Sequence, residues 1–355
     1  MQYIDIIYFT GFLLGGFLIS WICNNFLLRF SETLGIRNKN DVIVRWSNQS
    51  KPSLGGVSFF IVFIFSAFAY SVIFFEENIF HNKNFVGLFS AGSLAFLMGL
   101  ADDAYNTRPL IKLFVQISCG AIFILAGVQI DLFHSFWPDA IITIIWVVTL
   151  MNSLNMLDNM DGITGTTVFF VLCACLVGNF ITSGFIMDVW TLTILTMLGA
   201  ILGFLYYNVH PSKLFMGDAG SQFIGLFVAF FTIPFLWNVS ATYQVESWSG
   251  LILTLTALTP AAADTLTVVV NRLRKGKSPM VGGKDHTTHH LVYAGYNDKQ
   301  VWKIFTLIGL LSFLCAIIII LLIAEGKVMP ILFFLFFFLF VFCLLYRNTI
   351  KFPQK

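Results

Sequence analysis

Asn155, Asp158 and Asp161 stand three residues apart in the stretch LNMLDNMDGITG, residues 154 to 165, at the mouth of a long apolar run. Residues at that spacing fall on the same side of a helical turn. Ionised carboxylates beside a bilayer are costly unless a cation, a hydrogen-bond donor or water stabilises them. Two other segments repeat the situation, GLADDAYNTRPL (99 to 110) and KLFMGDAGSQF (213 to 223). Each sets acids against glycine or alanine at the end of an apolar run. Three separated acidic loops meeting at one membrane face imply a shared site for a divalent metal and phosphate. A single acid marking a helix end would need only water.

The elements that must position these loops are membrane spans. The 355 residues are 58% hydrophobic and 11% charged, with 41 Phe, whereas soluble proteins carry about 25% charged residues. Eleven stretches approach or exceed the roughly 20 apolar residues a bilayer span needs. They lie at about 6–28, 54–75, 85–101, 112–130, 139–157, 164–182, 189–207, 219–237, 249–271, 302–323 and 329–346. Helices are the default, because lipid-exposed backbone must satisfy its own hydrogen bonds, and the alternation of an outer-membrane barrel is absent. The expected fold is all-α, one polytopic domain over residues 1–355. The first run lacks the basic flank and small-residue cleavage site of a signal peptide and reads as an uncleaved span.

Lys and Arg sort the connections. Those after odd-numbered spans hold Arg29, Arg37, Lys39, Arg45, Lys51, Arg108, Lys213, Arg272, Arg274, Lys275, Lys277, Lys284 and Lys299, and the tail adds Arg347, Lys351 and Lys355. The other side has only Lys83 and Lys327. The positive-inside rule therefore puts the N-terminus outside and the C-terminus in the cytoplasm of a multi-pass inner-membrane protein. Asp102, Asp103, Asp158, Asp161, Asp218 and Asp285 then all face the cytoplasm, with Asp264 near that end of the ninth span. Glu76, Glu77, Asp131, Asp188, Glu246 and Glu325 face outward as solvated helix ends. The formal net charge of +2 gives no reason to expect nucleic acid as a partner.

The loop from 29 to 53 mixes basic residues with Trp46, which suits an anionic lipid surface, and ends in KPSLGG. Gly55 and Gly56 would allow close backbone approach where the second helix begins, and Gly11 and Gly15 form a GxxxG that packs helices. The longest basic loop, NRLRKGKSPMVGGKDHTTHHLVYAGYNDKQ (271 to 300), gathers Arg, Lys, a Gly-Gly pair and three histidines. Such groups suit phosphate oxygens. His286 and His289 can share one face of a turn, either as a two-His metal site or as donors to a phosphate. Cys23, Cys119, Cys173, Cys175, Cys315 and Cys343 have neither zinc nor redox spacing, so packing is their expected role.

Acids, glycines, His and Arg at a membrane face suit phosphoryl transfer involving a lipid, with Mg²⁺ taking one or two carboxylates and leaving its other positions to water and phosphate. The motifs also carry a resemblance. LADDAYN, NMLDNMDG, FMGDAGS and KDHTTHH, in that order, resemble the motifs of the polyprenyl-phosphate N-acetylhexosamine-1-phosphate transferases. KPSLGG, Lys112, Gln116 and Asp264-Thr265 also resemble positions of that family. The eleven-span arrangement is similar to its UDP-N-acetylglucosamine branch. The resemblance implies a UDP-N-acetylhexosamine donor, undecaprenyl phosphate as acceptor, UMP as leaving product, and Mg²⁺ (or Mn²⁺) as cofactor. It implies Asp218 and Asp161 as metal ligands, and Asp102, Asp103 and Asp161 as catalytic acids, with Asp103 the base or lipid-phosphate partner. Lys51 joins Asp103 on the lipid phosphate. Substrate-binding roles fall to Lys112, Asn155, Asp158, Asn208, Phe215, Gly217, Asp264, Arg272, His286, His289 and His290. Direct attack by the lipid phosphate suffices, with a covalent aspartyl-phosphate as the alternative.

The chain departs from the family at four points. Asn106 stands where a third acid is often seen, and Asn159 replaces a frequent glycine. His-Thr-Thr-His-His stands for His-x-His-His, which leaves His289 and His290 as alternatives, and the spacing from Pro260 to Asp264 is one residue longer than the family pattern. The donor alternatives are a modified UDP-2-acetamido sugar or UDP-MurNAc-pentapeptide, and the product would begin a cell-envelope polysaccharide such as O-antigen. The sequence leaves the oligomeric state open, a homodimer being one option. A transporter is the rival from another class, but it would set its ionisable groups near the bilayer midplane on repeated, broken helices.

Overall fold

The structure is a computed structural model that describes residues 3–30, 51–278 and 283–353. Trp46, Arg37, Lys39 and Arg45 of the first loop and Gly282 of the Gly-Gly pair lie outside the described residues. Among those described, every regular element is a helix. In chain order these are α1 (Tyr3–Phe30), α2 (Val57–Ile73), α3 (Lys83–Tyr105), α4 (Pro109–Leu125), α5 (Phe136–Leu157), α6 (Ile163–Ser183), α7 (Val189–Asn208) and α8 (Gly217–Thr232). A short α9 (Val239–Thr242) follows, then α10 (Trp248–Ala257), α11 (Thr259–Arg274), α12 (Thr287–Tyr293), α13 (Asp298–Ala324) and α14 (Leu332–Lys351).

All eleven apolar stretches fall on helices, but not all as single long spans. Eight helical segments are long and apolar enough to cross a membrane, while α2 and α4 are shorter apolar helices. The stretch 249–271, read as one span, is two helices: α10 and α11 meet at 87°. Pro260 stands in the first turn of α11, where its missing N–H is harmless, but it could not continue α10. In contrast, α8 runs on through a π turn at Ile233–Trp237, so that Gly217–Thr242 forms one apolar segment.

The most enclosed helices are α6, α7 and α8, whereas α1, α13 and α14 lie at the periphery. Leu14, Leu18, Phe333, Phe336 and Phe340 are exposed on those outer helices, as a lipid solvent allows. The core around α8 is aromatic, with Phe63, Phe223 and Phe227 in mutual ring contact. The glycine expectation on α1 needs correction. A Cβ on Gly11 or Gly15 would meet nothing within 4 Å, and both glycines line an open apolar pocket. Gly16 is the one that lets α1 reach α7, against the backbone of Thr196. All six cysteines are free; Cys119 and Cys175 are buried, and Cys343 is exposed, so packing inside the protein does not extend to Cys343.

At the end of the bundle away from the acidic motifs, Asp188 caps α7 by accepting from Thr191 N (2.8 Å). Glu325 pairs with Lys327 at 2.8 Å. Asp139 is buried there, and its oxygens accept the N–H groups of Leu132, Phe133 and Ser135. These acids shape turns.

Candidate active site

Residues 51–56 run beside residues 213–217. Phe215 N donates to Pro52 O (2.9 Å), Gly55 N to Phe215 O (2.9 Å) and Gly56 N to Met216 O (2.8 Å). A Cβ on Gly56 would collide with the backbone of Gly220, so the close approach expected of this pair is required. The run delivers the chain to Gly217, whose φ of +77° starts α8 and whose missing Cβ leaves room for Ser53 O and the Asp103 carboxylate. At that helix start Asp103 accepts from Asp218 N (3.0 Å) with one oxygen and from Ala219 N (2.9 Å) with the other. Both oxygens of Asp103, expected as the base or lipid-phosphate partner, are engaged by backbone amides.

Asp218, in the first turn of α8, accepts from Asn155 Nδ2 at 2.7 Å, and the same amide donates to Ser221 Oγ at 2.8 Å. The Asp102 carboxyl lies within hydrogen-bonding range of the Asp218 carboxyl. Asp102 is otherwise held by Thr107 N (2.8 Å), Thr107 Oγ1 (2.9 Å) and an ion pair with Lys112. Asp158, at the end of α5, is pushed up to about 7 by burial and then by the charges of Asp218, Asp103 and Asp161. Two carboxyls side by side need a proton or a cation between them, and the surrounding acids outnumber Lys51 and Lys112. That donor set fits a divalent cation, with Asp218 and Asp102 as the groups to hold it. Among the described residues, no three His, Cys, Asp or Glu side chains form a group that could hold a metal ion by themselves.

Asp161, expected as the second metal ligand, has oxygens that accept from Ser212 N (3.0 Å), Ser212 Oγ (2.8 Å) and His210 (3.2 Å). Lys51 donates to the same Ser212 hydroxyl at 3.1 Å and sits 5.2 Å over the Phe215 ring. Asn208, expected among the substrate-binding residues, meets the protein's own backbone. It is buried, accepts from Gly162 N (3.0 Å) and donates to Leu214 O (2.8 Å), tying the start of α6 to the approach to α8.

Asp264, fully buried on α11, accepts from His286 Nδ1 (2.9 Å), Thr287 N (2.8 Å) and Thr287 Oγ1 (2.6 Å). It therefore anchors the histidine loop to α11. The two remaining histidines separate cleanly. His289 turns its ring edge-on to His286, centroids 5.4 Å apart, whereas His290 donates to Phe352 O at 2.6 Å. Burial, then the neighbouring His286, drives His289 down to about 3, so its imidazole is neutral at working pH. Arg272 meets Asp285 through two parallel bonds of 2.9 and 2.8 Å. Burial opposes the charge on Asp285, but Arg272 outweighs it and holds that carboxyl below the usual range. Finally, Thr288 Oγ1 donates to Asn159 Oδ1 at 2.6 Å, joining the two loops.

Sequence reasoning missed Thr107, Ser212, Ser221 and Thr287 as partners of the motif acids. Hydroxyl residues have no periodic signature, and only proximity in space reveals them. Asn159 and Thr288 did carry a signal, since each lies at a departure from the family pattern.

Comparisons with known proteins find similarity over the segment that carries these motifs. The family model described as glycosyl transferase family 4 matches residues 85–235, the segment holding Asp102, Asp103, Asn155, Asp158, Asp161 and Asp218. A probable undecaprenyl-phosphate N-acetylglucosaminyl 1-phosphate transferase of Bacillus subtilis is 22% identical over 283 residues, covering 76% of this chain and 73% of its own. The undecaprenyl-phosphate alpha-N-acetylglucosaminyl 1-phosphate transferase of Yersinia pestis is 27% identical over 75% of this chain and 72% of its own. A phospho-N-acetylmuramoyl-pentapeptide-transferase of Carboxydothermus hydrogenoformans is 33% identical over 34% of this chain and 33% of its own. The chain is thus similar to glycosyl transferase family 4 across the segment that carries its motif acids, and to polyprenyl-phosphate N-acetylglucosaminyl 1-phosphate transferases over about three quarters of its length.

Proposed function

We propose that the protein transfers N-acetylhexosamine 1-phosphate, with GlcNAc 1-phosphate as the first choice, from a UDP-sugar to undecaprenyl phosphate, releasing UMP. The acceptor and the class of sugar are those in the names of the Bacillus and Yersinia relatives. The Lys and Arg distribution supports a C-terminus and an active site on the cytoplasmic face of the inner membrane.

The single observation behind the reaction type is the approach of the Asp102 and Asp218 carboxyls, from α3 and α8, to hydrogen-bonding range. Asp218 would hold Mg²⁺ with Asp102 beside it, and Asn155 fixes the Asp218 rotamer through its 2.7 Å bond. The chemistry a bound Mg²⁺ supplies is charge neutralisation on the phosphoanhydride as it breaks. Lys112 holds Asp102 in place and brings a positive charge to the same spot. Lys51, beside Ser212 and Phe215, is the cation for the lipid phosphate. Neutral His289 offers a single N–H to the donor's diphosphate, and His286 is oriented toward the same space by Asp264.

Purified protein with undecaprenyl phosphate, Mg²⁺ and a panel of UDP-sugars tests this reading by release of UMP. UDP-GlcNAc is expected to give UMP, EDTA to abolish it and Asp218→Asn to remove nearly all turnover. Near-normal turnover in Asp218→Asn overturns the metal assignment. Absence of UMP with every UDP-sugar, together with solute movement across vesicles, would establish the transporter instead.

A further inference from the structure

We infer that Asp103 is a positioning residue, which acts by capping the start of α8 from another helix and so aims Asp218. The inference rests on the proposed reaction for its consequence and on geometry alone for its substance. Each Asp103 oxygen takes one backbone N–H, from Asp218 at 3.0 Å and from Ala219 at 2.9 Å. Those amides belong to the first turn of α8, where N–H groups have no partner within the helix. No residue of the chain just before α8 caps it: the preceding residue, Met216, makes no side-chain cap. The carboxylate that does so comes from α3, 115 residues earlier.

The fit is close on all sides. Gly217 has a left-handed φ of +77°, and a Cβ there would stand 2.9 Å from Asp103 Oδ2 and collide with Ser53 O. Gly99, one turn before Asp103 on α3, has room for no Cβ against the Asp218 carbonyl and Ala219. Thus α3 and α8 are in backbone contact where the Asp103 bonds form. The neighbouring Asp102 points to Thr107 and Lys112 and to the Asp218 carboxyl. Adjacent acids therefore divide the work: Asp102 faces the reacting centre, and Asp103 fixes the backbone that carries the other carboxyl.

Hydrogen–deuterium exchange on the full-length protein in detergent, without substrate or metal, reads this directly. In Asp103→Asn one acceptor is replaced by an NH₂ that faces a backbone N–H. Peptides covering 217–220 are then expected to exchange faster by about tenfold or more, the factor set by losing one hydrogen bond to a charged group. The start of α13, capped by Asn297, is expected to keep its wild-type exchange. Turnover of Asp103→Asn should fall through kcat while KM for the UDP-sugar keeps its wild-type value, because Asp218 is misaimed and no donor contact is lost. Gly217→Ala disturbs the same turn from the opposite side and should speed the same amides. Unchanged exchange at 217–220 in Asp103→Asn, a loss confined to KM, or wild-type turnover despite faster exchange each overturns the inference. Because exchange needs no activity, failure of the proposed reaction would be seen separately, as wild-type protein that releases no UMP.

Discussion

Acid should destabilise this protein through His289 in particular. The imidazole is 2% exposed and stands against His286 on the histidine loop. Burial first and His286 second lower it from 6.5 to about 3. A histidine whose folded value lies below its unfolded one contributes stability that is complete above 6.5 and is lost as pH falls toward 3. At pH 5.0 the unfolded chain gains RT ln(1 + 10^1.5), about 2 kcal/mol, from protonating this residue, while the folded state gains almost nothing. At pH 7.5 the same quantity is below about 0.1 kcal/mol. Equilibrium unfolding in mixed detergent–SDS micelles at the two pH values, for wild type and His289→Gln, isolates the residue. Changes at Asp158, Asp285 and the other titrating groups cancel in the difference between the two proteins. The wild type should lose about 2 kcal/mol more than the variant between pH 7.5 and 5.0. A difference under about 0.5 kcal/mol would mean that His289 protonates freely in the folded protein, and the neutral donor assigned to it would fall.

Asn208→Leu should cost about 2–5 kcal/mol in the same titration, because it strands the Gly162 N–H and the Leu214 carbonyl. An unchanged stability with a raised KM for the UDP-sugar would return Asn208 to the substrate site. The Asn159–Thr288 bond predicts a coupling of about 1 kcal/mol in a double-mutant cycle of Asn159→Ala and Thr288→Val. Additive effects would show that the loops are not joined there. Gly56→Ala should prevent recovery of folded protein, since its Cβ would enter the Gly220 backbone. Purification of that variant with wild-type unfolding behaviour would refute the close approach.

Much of the fold was legible because a bilayer imposes one rule on every span: enough apolar residues, and a backbone that satisfies itself. That rule found each helix from α1 to α14 except the short α9 and α12. It could not see the bend at Leu258, because composition is blind to direction, and a proline after a span reads the same whether the next helix runs straight or turns. It also chose the wrong glycines on α1. Gly11, Gly15 and Gly16 are equivalent in composition, and only the rotation of α1 against α7 decides which one meets a backbone. The site shows the same division. The motifs supplied Asp102, Asn155, Asp158 and Asp218, and the structure brings them together.

Sequence alone determined that this is a multi-helix membrane protein carrying a set of acids and histidines suited to phosphoryl transfer, because charge beside lipid is too costly to occur without a partner. Tertiary structure alone decided what each acid does. Asp103 and Asp264 hold backbone and side-chain donors of other helices, Asp161 holds Ser212 and His210, and Asp102 and Asp218 face one another. A carboxylate is the same group in each case. Its role is set by the donors within about 3 Å, and those donors come from residues tens to more than a hundred positions away in the chain.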